Sequence, residues 1–286
     1  MKSHKELRKV KTMKKLIGIL LVIAIIIGAG TAFCCKYNGI APISVSESSI
    51  DTENDPIVLT AHRGCHTSVP ENSLPAFKKA IELGYYAAEC DVIRTSDGKW
   101  VITHDDKVSK HFFGTGKISE KTYDEVRKLK YNFDKEFWNY QDESIPSLEE
   151  YLDLFIGKST RPEIEIKCKG LENLEDIVSA IEERGLTEQA IIISFNYDEL
   201  KRIHELNPDI ELWYLLSEIT DEGIKDALAI NSKFLSVNYK NNGADEIKKA
   251  MDSGLQVAVW TVDSTETVKE YYDMGVRYFV SNKICY

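Results

Sequence analysis

Glu89-Cys90-Asp91-Val92-Ile93-Arg94-Thr95-Ser96-Asp97-Gly98-Lys99-Trp100-Val101-Ile102-Thr103-His104-Asp105 decides the fold. Two strand-like runs, 86–92 and 100–104, flank Thr95-Ser96-Asp97-Gly98-Lys99, a connection too short to bring one strand round to a parallel neighbour. The runs must pair antiparallel, and Asp-Gly at the centre is a strong hairpin signal. Further strand patterns fall at 57–61, 162–167, 190–194, 211–215, 234–237, 256–260 and 277–280. Setting the second hairpin arm aside leaves eight strands. Amphipathic helical patterns occupy 73–83, 172–184, 197–206, 221–229, 243–252 and 265–274, several ending at a glycine (Gly84, Gly185, Gly254, Gly275) where a helix C-cap belongs. This βα rhythm predicts an α/β fold, a TIM (β/α)8 barrel with a β-hairpin after strand 2.

Residues 106–161 break the rhythm. They hold two short helical patterns, 121–130 and 147–155, and the aromatics Tyr131, Phe133, Phe137, Trp138 and Tyr140, and they read as an insertion capping one end of the barrel. Upstream, Leu16 to Phe33 is an 18-residue stretch without charge, about the minimum for a helix crossing the hydrocarbon core. Residues 1–15 carry seven Lys/Arg against Glu6, so the positive-inside rule places them in the cytoplasm and the barrel outside. The expected organisation is a basic N-terminus (1–15), a transmembrane signal anchor (16–35), a polar linker (36–56) and the barrel (57–286). A cleaved signal peptide ending near Gly30-Thr31-Ala32 is the rival reading, which makes the protein secreted.

Hydrophobic residues make up 43% and charged residues 29%, with 16 Gly and 7 Pro, so collagen-like and largely disordered classes are excluded. The net charge is −10, and without a basic footprint on the folded domain no nucleic acid is expected as a partner. Six cysteines form no CxxC pair, so neither a zinc site nor a disulfide scaffold is indicated.

Active sites of such barrels lie at the C-terminal strand ends, which are unusually polar here: Ala61-His62-Arg63-Gly64, Glu89-Cys90-Asp91, His104-Asp105 and Glu163-Ile164-Glu165-Ile166-Lys167. Alternation puts Glu89 and Asp91 on one face and Glu163, Glu165 and Lys167 on another common face. A hairpin centred between Asp97 and Gly98 pairs residues summing to 195 and sets Asp91 opposite His104. Glu89, Asp91 and Glu165 at one mouth repel each other unless protonated, paired or bridged. One divalent cation, Ca²⁺ or Mg²⁺, resolves the conflict with oxygen ligands. Arg63 and Lys167 beside it would clamp a phosphoryl group while His62 and His104 exchange protons, the outline of a phosphodiesterase.

With His62-Arg63-Gly64, Pro70-Glu71-Asn72, the E-x-D-V-x-x-T-x-D-G run from Glu89 to Gly98, His104-Asp105 and Glu165-Ile166-Lys167 in this order and spacing, the sequence resembles the glycerophosphodiester phosphodiesterase (GDPD) family. Gly114-Thr115-Gly116, Ile145 to Glu150, Ser194-Phe195 and Trp260-Thr261-Val262-Asp263 are further matches, so the likeness covers roughly residues 57–280. The resemblance implies metal-dependent hydrolysis of glycerophosphodiesters to sn-glycerol 3-phosphate and an alcohol. It implies His62 and His104 as the acid/base pair, Glu89, Asp91 and Glu165 as metal ligands, and Arg63 and Lys167 on the substrate. Glu71 and Asn72 then tie the first βα loop to the site, and Trp260 walls the glycerol.

Two departures stand out: Ser281-Asn282-Lys283 where the family has Thr-Asp/Asn-x-Pro, and Glu163 where it has Asn. A lone strand-end histidine is more often structural, and Glu165 with Lys167 alone could be an ordinary salt bridge; the joint constellation is what favours chemistry. His66, His111 and His204 receive no role. Alternative functions are a lysophospholipase D-like or cell-wall glycerophosphate-polymer hydrolase, and a catalytically silent binding barrel.

Overall fold

The computed structural model describes residues 43–44, 55–132, 139–140, 142–168 and 170–285. The 1–15 and 16–35 segments, most of the linker, and Phe133, Phe137 and Trp138 lie outside them. Among the described residues no helix is long and apolar enough to cross a membrane.

A two-residue strand, β1 (Ile43–Ser44), precedes the barrel. The barrel strands are β2 (Val58–Ala61), β3 (Ala87–Arg94), β5 (Arg161–Ile166), β6 (Ile191–Ser194), β7 (Glu211–Leu216), β8 (Phe234–Asn238), β9 (Gln256–Trp260) and β10 (Tyr278–Ser281), with β4 (Trp100–Ile102) as the antiparallel arm on β3. All eight run parallel in the order β2-β10-β9-β8-β7-β6-β5-β3, and β2 pairs with β3 to close the cylinder. A last strand, β11 (Ile284–Cys285), pairs with β1 just past the C-terminal end of β10.

The hairpin corrects the expected register. Val92 pairs with Ile102, Ile93 with Val101 and Arg94 with Trp100, so paired numbers sum to 194 and Asp91 faces Thr103, not His104. The cause is a three-residue loop. Gly98 adopts φ +86° and donates its N–H to the Thr95 carbonyl at 3.0 Å, while the Thr95 hydroxyl accepts the Lys99 N–H at 2.9 Å; this geometry takes one residue more than a two-residue Asp-Gly turn.

The helices are α1 (Leu74–Glu82), α2 (Tyr123–Val126), α3 (Leu148–Asp153), α4 (Leu174–Glu183), α5 (Tyr197–Leu206), α6 (Asp221–Ala229), α7 (Ala244–Asp252) and α8 (Thr265–Asp273). Those of the βα rhythm fall within two residues of the sequence patterns, because each combines an apolar face with a readable cap: Ser73 accepts from Ala76 N at the start of α1 and Ser264 from Thr267 N at the start of α8. In the insertion α2 and α3 are shorter than expected, and each starts at a capping box, Thr122/Glu125 and Ser147/Glu150. The insertion packs its own small core, Val108, Phe112, Ile118, Val126, Tyr131 and Ile145, against Ile93 and Val101 of the hairpin. Arg127 grips Glu150 with two nitrogens at 2.6 and 2.9 Å and fastens it to α3.

Inside the barrel the side chains change character with height. At the N-terminal end Trp213 stacks on Phe234 with centroids 4.1 Å apart, and Arg161 bonds Glu211 at 2.8 Å and the Tyr86 hydroxyl. Above this plug the Thr60 hydroxyl donates to Glu163 at 3.2 Å. Carboxylates take over at the C-terminal mouth. β3 is buried along almost its whole length, as a parallel strand covered on both faces must be.

Candidate active site

The mouth is built on β2, β3 and β5. Arg63 follows β2 in the left-handed region, φ +56°, a conformation that costs a side-chain-bearing residue energy unless its surroundings hold it. Here the turn aims the Arg63 N–H at Glu89 Oε2, 2.7 Å away. Gly64 comes next at φ +77°, where a Cβ would stand 2.8 Å from the Ala76 backbone; only glycine lets α1 pack this close. The His-Arg-Gly motif thus joins β2 to α1 and fixes the first metal-ligand candidate.

Asp91 is fully buried and Glu89 nearly so. Ligand oxygens of Glu89, Asp91 and Glu165 all lie within 4.8 Å of one another. Asp91 accepts from Asn72 Nδ2 at 2.8 Å, with Arg63 Nε at 3.4 Å and Lys167 Nζ at 3.7 Å. Lys167 also bonds Glu165 at 2.9 Å. Burial, and then Asp91 and Glu165, push the Glu89 carboxyl well above the usual range, and burial with Asp91 pushes Glu165 up. For Lys167 the attraction of Glu165 and Asp91 outweighs burial and holds the ammonium above its ordinary value. Glu89 Oε1 and Asp91 Oδ1 are buried and accept no hydrogen bond. Two buried oxygens without a hydrogen-bond partner, in a cluster of carboxylates that repel one another when ionised, fit a divalent cation held by oxygen ligands.

A cavity of about 270 Å³ opens over this cluster. His62, Arg63, Glu89, His104, Glu165 and Lys167 line one side; Ile193, Phe195, Leu215, Trp260 and Val280 supply an apolar side. His104 reaches the cavity despite the shifted register because the chain leaves β4 after Ile102. Glu71 and Asn72 stand behind the wall, where Glu71 holds Arg63 at 2.8 Å and Asn72 holds Asp91. Trp260 packs edge-on to Phe195 with centroids 5.7 Å apart. Glu163 lies below the three carboxylates, fully buried, with burial holding its carboxyl at about 8.

The two histidines have different supports. Asn282 donates its Nδ2 to Asp263 Oδ2 at 2.9 Å and its backbone N–H to Asp263 Oδ1 at 2.8 Å. Its Oδ1 therefore faces His62 Nδ1 at 2.8 Å and His66 Nε2 at 3.1 Å and must accept from both. That fixes the proton of His62 on Nδ1 and leaves Nε2 as an acceptor. Burial and the neighbouring Arg63 charge lower the His62 pKa to about 4, so the ring is neutral at pH 7. His104 Nδ1 instead meets the carboxylate of Asp105 at 3.4 Å, and the same oxygen takes His111 Nε2 at 2.9 Å. Hydrogen bonds from the two imidazoles outweigh burial and keep Asp105 below the usual range.

Every residue of the sequence-derived set falls in or directly behind this mouth. The sequence reading missed the supports. Asn282 was visible only as a departure from a family pattern, Asp263 only as part of a motif match, and His66 and His111 had no spacing signal because both reach the site through the fold.

Residues 62–284 match the family model described as Glycerophosphoryl diester phosphodiesterase family. A glycerophosphodiester phosphodiesterase of Caldanaerobacter subterraneus is 32% identical over 224 residues, covering 77% of this chain and 91% of the relative. One from Bacillus altitudinis is 30% identical over 228 residues, covering 76% and 91%. Among solved structures, an Oleispira antarctica phosphodiesterase in complex with the product sn-glycerol-3-phosphate superposes with a TM-score of 0.71 at 25% identity, covering 84% of this chain and 96% of that one. A Parabacteroides distasonis glycerophosphodiester phosphodiesterase gives 0.68 at 28% identity, covering 80% and 93%. The chain belongs to the glycerophosphodiester phosphodiesterase family of hydrolases.

Proposed function

We propose that the protein hydrolyses glycerophosphodiesters to sn-glycerol 3-phosphate and an alcohol with the help of one divalent cation, Mg²⁺ or Ca²⁺. The observation that carries this reading is the two-sided cavity over the three convergent carboxylates, with two histidines on one side and an apolar wall on the other. Glu89, Asp91 and Glu165 would hold the cation, which when bound supplies positive charge to the phosphoryl oxygens. Arg63 and Lys167 add charge to the same group. Ile193, Leu215 and Trp260 receive the glycerol carbons, in keeping with the sn-glycerol-3-phosphate of the Oleispira structure.

The tautomer argument gives the histidines separate tasks. His62 Nε2, unprotonated, takes the proton of the attacking hydroxyl as its oxygen bonds phosphorus. His104, backed by the Asp105 carboxylate, gives a proton to the alcohol oxygen as its bond to phosphorus breaks. Attack by water completes the hydrolysis with these roles; attack by a glycerol hydroxyl gives a cyclic phosphate, which water then opens with the roles reversed, His104 taking the water proton and His62 returning its proton to the glycerol oxygen.

Membrane attachment outside the cell is the second part of the proposal, and it rests on the apolar 16–33 run and its basic flank. With such an anchor, β1 pairs with β11 just past the C-terminal end of β10, and the nine residues 34–42 reach roughly 30 Å at most. The mouth would then stay close to the bilayer. Release of glycerol 3-phosphate from glycerophosphocholine by the purified chain, with Mg²⁺, Ca²⁺ or chelator and with His62→Ala and Glu89→Ala alongside, tests the reaction. Metal-restored turnover lost in both variants supports it; metal-independent turnover, or none, refutes it. Membrane fractionation of cells producing the full chain tests the attachment.

A further inference from the structure

The apolar side of the reaction cavity is broken by a hydroxyl, that of Ser236. β8 alternates along its length: Leu235 and Val237 join the core shared with the helices, while Phe234 and Ser236 face the barrel interior. Phe234 belongs to the plug, stacked on Trp213 and edge-on to Tyr278 with centroids 4.7 Å apart. Ser236 is the next inward residue above it, between its register partners Leu215 and Ala258. Its hydroxyl therefore stands on the cavity floor.

Ser236 is 1% exposed, and its hydroxyl has no hydrogen-bond partner. A buried hydroxyl left alone costs folding free energy, a cost that alanine at this place would not carry. Trp260, on the adjacent strand and lining the same cavity, has a like deficit: its indole N–H is shut from solvent and meets no acceptor. Two unpaired groups in one otherwise apolar wall point to a ligand that brings its own hydroxyl, a group able both to give and to accept a hydrogen bond.

We infer that Ser236 is a specificity-determining residue that binds the terminal, sn-1 hydroxyl of the glycerol part, so that the site takes deacylated diesters and rejects 1-acyl lysolipids. The inference rests on the diesterase reading for the identity of its ligand. The sn-2 hydroxyl sits on the carbon next to the phosphate-bearing one and stays with the reacting groups at the strand ends. The sn-1 carbon is farthest from phosphorus and reaches lowest into the cavity. An acyl group there removes the O–H and adds a chain that the plug of Phe234 and Trp213 stops below Ser236.

Ser236→Ala removes a hydroxyl that bonds nothing in the unliganded protein. Its Tm is expected to equal or exceed that of the wild type; a fall of more than about 3 °C would give the hydroxyl a structural role and overturn the inference. With the full chain in detergent, kcat/KM is compared on glycerophosphocholine and its 1-deoxy analogue. The wild type is expected to lose roughly tenfold on the analogue, and Ser236→Ala to lose roughly tenfold on glycerophosphocholine with no further loss on the analogue. Additive losses, or no loss in either comparison, overturn the contact. Turnover of 1-acyl lysophosphatidylcholine within about tenfold of glycerophosphocholine overturns it as well. Calorimetric binding of sn-glycerol 3-phosphate reads the same contact without turnover, and its affinity should fall about tenfold in Ser236→Ala. Such a fall in a protein that hydrolyses neither diester would refute the diesterase reading and leave the contact standing, whereas diester hydrolysis indifferent to Ser236 would do the reverse.

Discussion

Asn282 Oδ1 stands 2.8 Å from His62 Nδ1 and is fixed there by Asp263 on the far side of the amide. This contact sets which nitrogen of His62 faces the cavity. Asn282→Ala should therefore lower kcat by roughly 10- to 100-fold, because the unprotonated Nε2 is no longer selected, with little change in KM. Steady-state kinetics on glycerophosphocholine read the split, and an unchanged kcat refutes the orienting role.

Asp105 receives His104 and His111 on one oxygen. His111 sits in the insertion and holds that carboxylate at 2.9 Å. His111→Ala should reduce kcat by about three- to tenfold, and His111→Gln, which retains a donor, should recover part of it. If both variants match the wild type, the insertion does not position the acid.

Glu163 gives a pH dependence with a definite sign. Its carboxyl titrates at about 8 in the folded protein, raised by burial from an ordinary 4.5. Between these values the unfolded chain has released the proton and the folded chain still binds it, so this group's contribution to stability falls as pH rises, by about 1.4 kcal/mol per unit. Glu163→Gln removes that loss. Its Tm relative to wild type, measured in chelator, should climb from pH 5 to pH 8; a constant difference would show that Glu163 is ionised in the native state.

Cation binding should be visible in stability as well as in rate. Mg²⁺ or Ca²⁺ at 100 times its Kd adds about 2.7 kcal/mol if only the folded state binds it, and it removes the repulsion among Glu89, Asp91 and Glu165. Calorimetry should show a cation-dependent rise in Tm that is lost in Glu89→Gln. A rise that persists in Glu89→Gln places the cation elsewhere.

Much of this was legible in the chain. The alternation Glu89/Asp91 and Glu165/Lys167 placed three carboxylates and an ammonium on the barrel mouth, because side chains repeat every second residue in a strand. The short Thr95–Lys99 connection showed that one of nine strands is antiparallel, which left the eight of the barrel. The hairpin register was a residue off, since Gly98 can serve a two-residue or a three-residue loop and the Thr95 hydroxyl's bond to Lys99 decides between them.

Local periodicity and motif spacing determined the elements, the count of barrel strands and the reacting groups, each read from residues near one another in sequence. Only the tertiary structure decided what holds those groups. Asn282 meets His62 across 220 positions, and Asp263 and His66 converge on the same amide. Such contacts are set by where barrel closure brings the loops, and strand or helix periodicity carries no record of that.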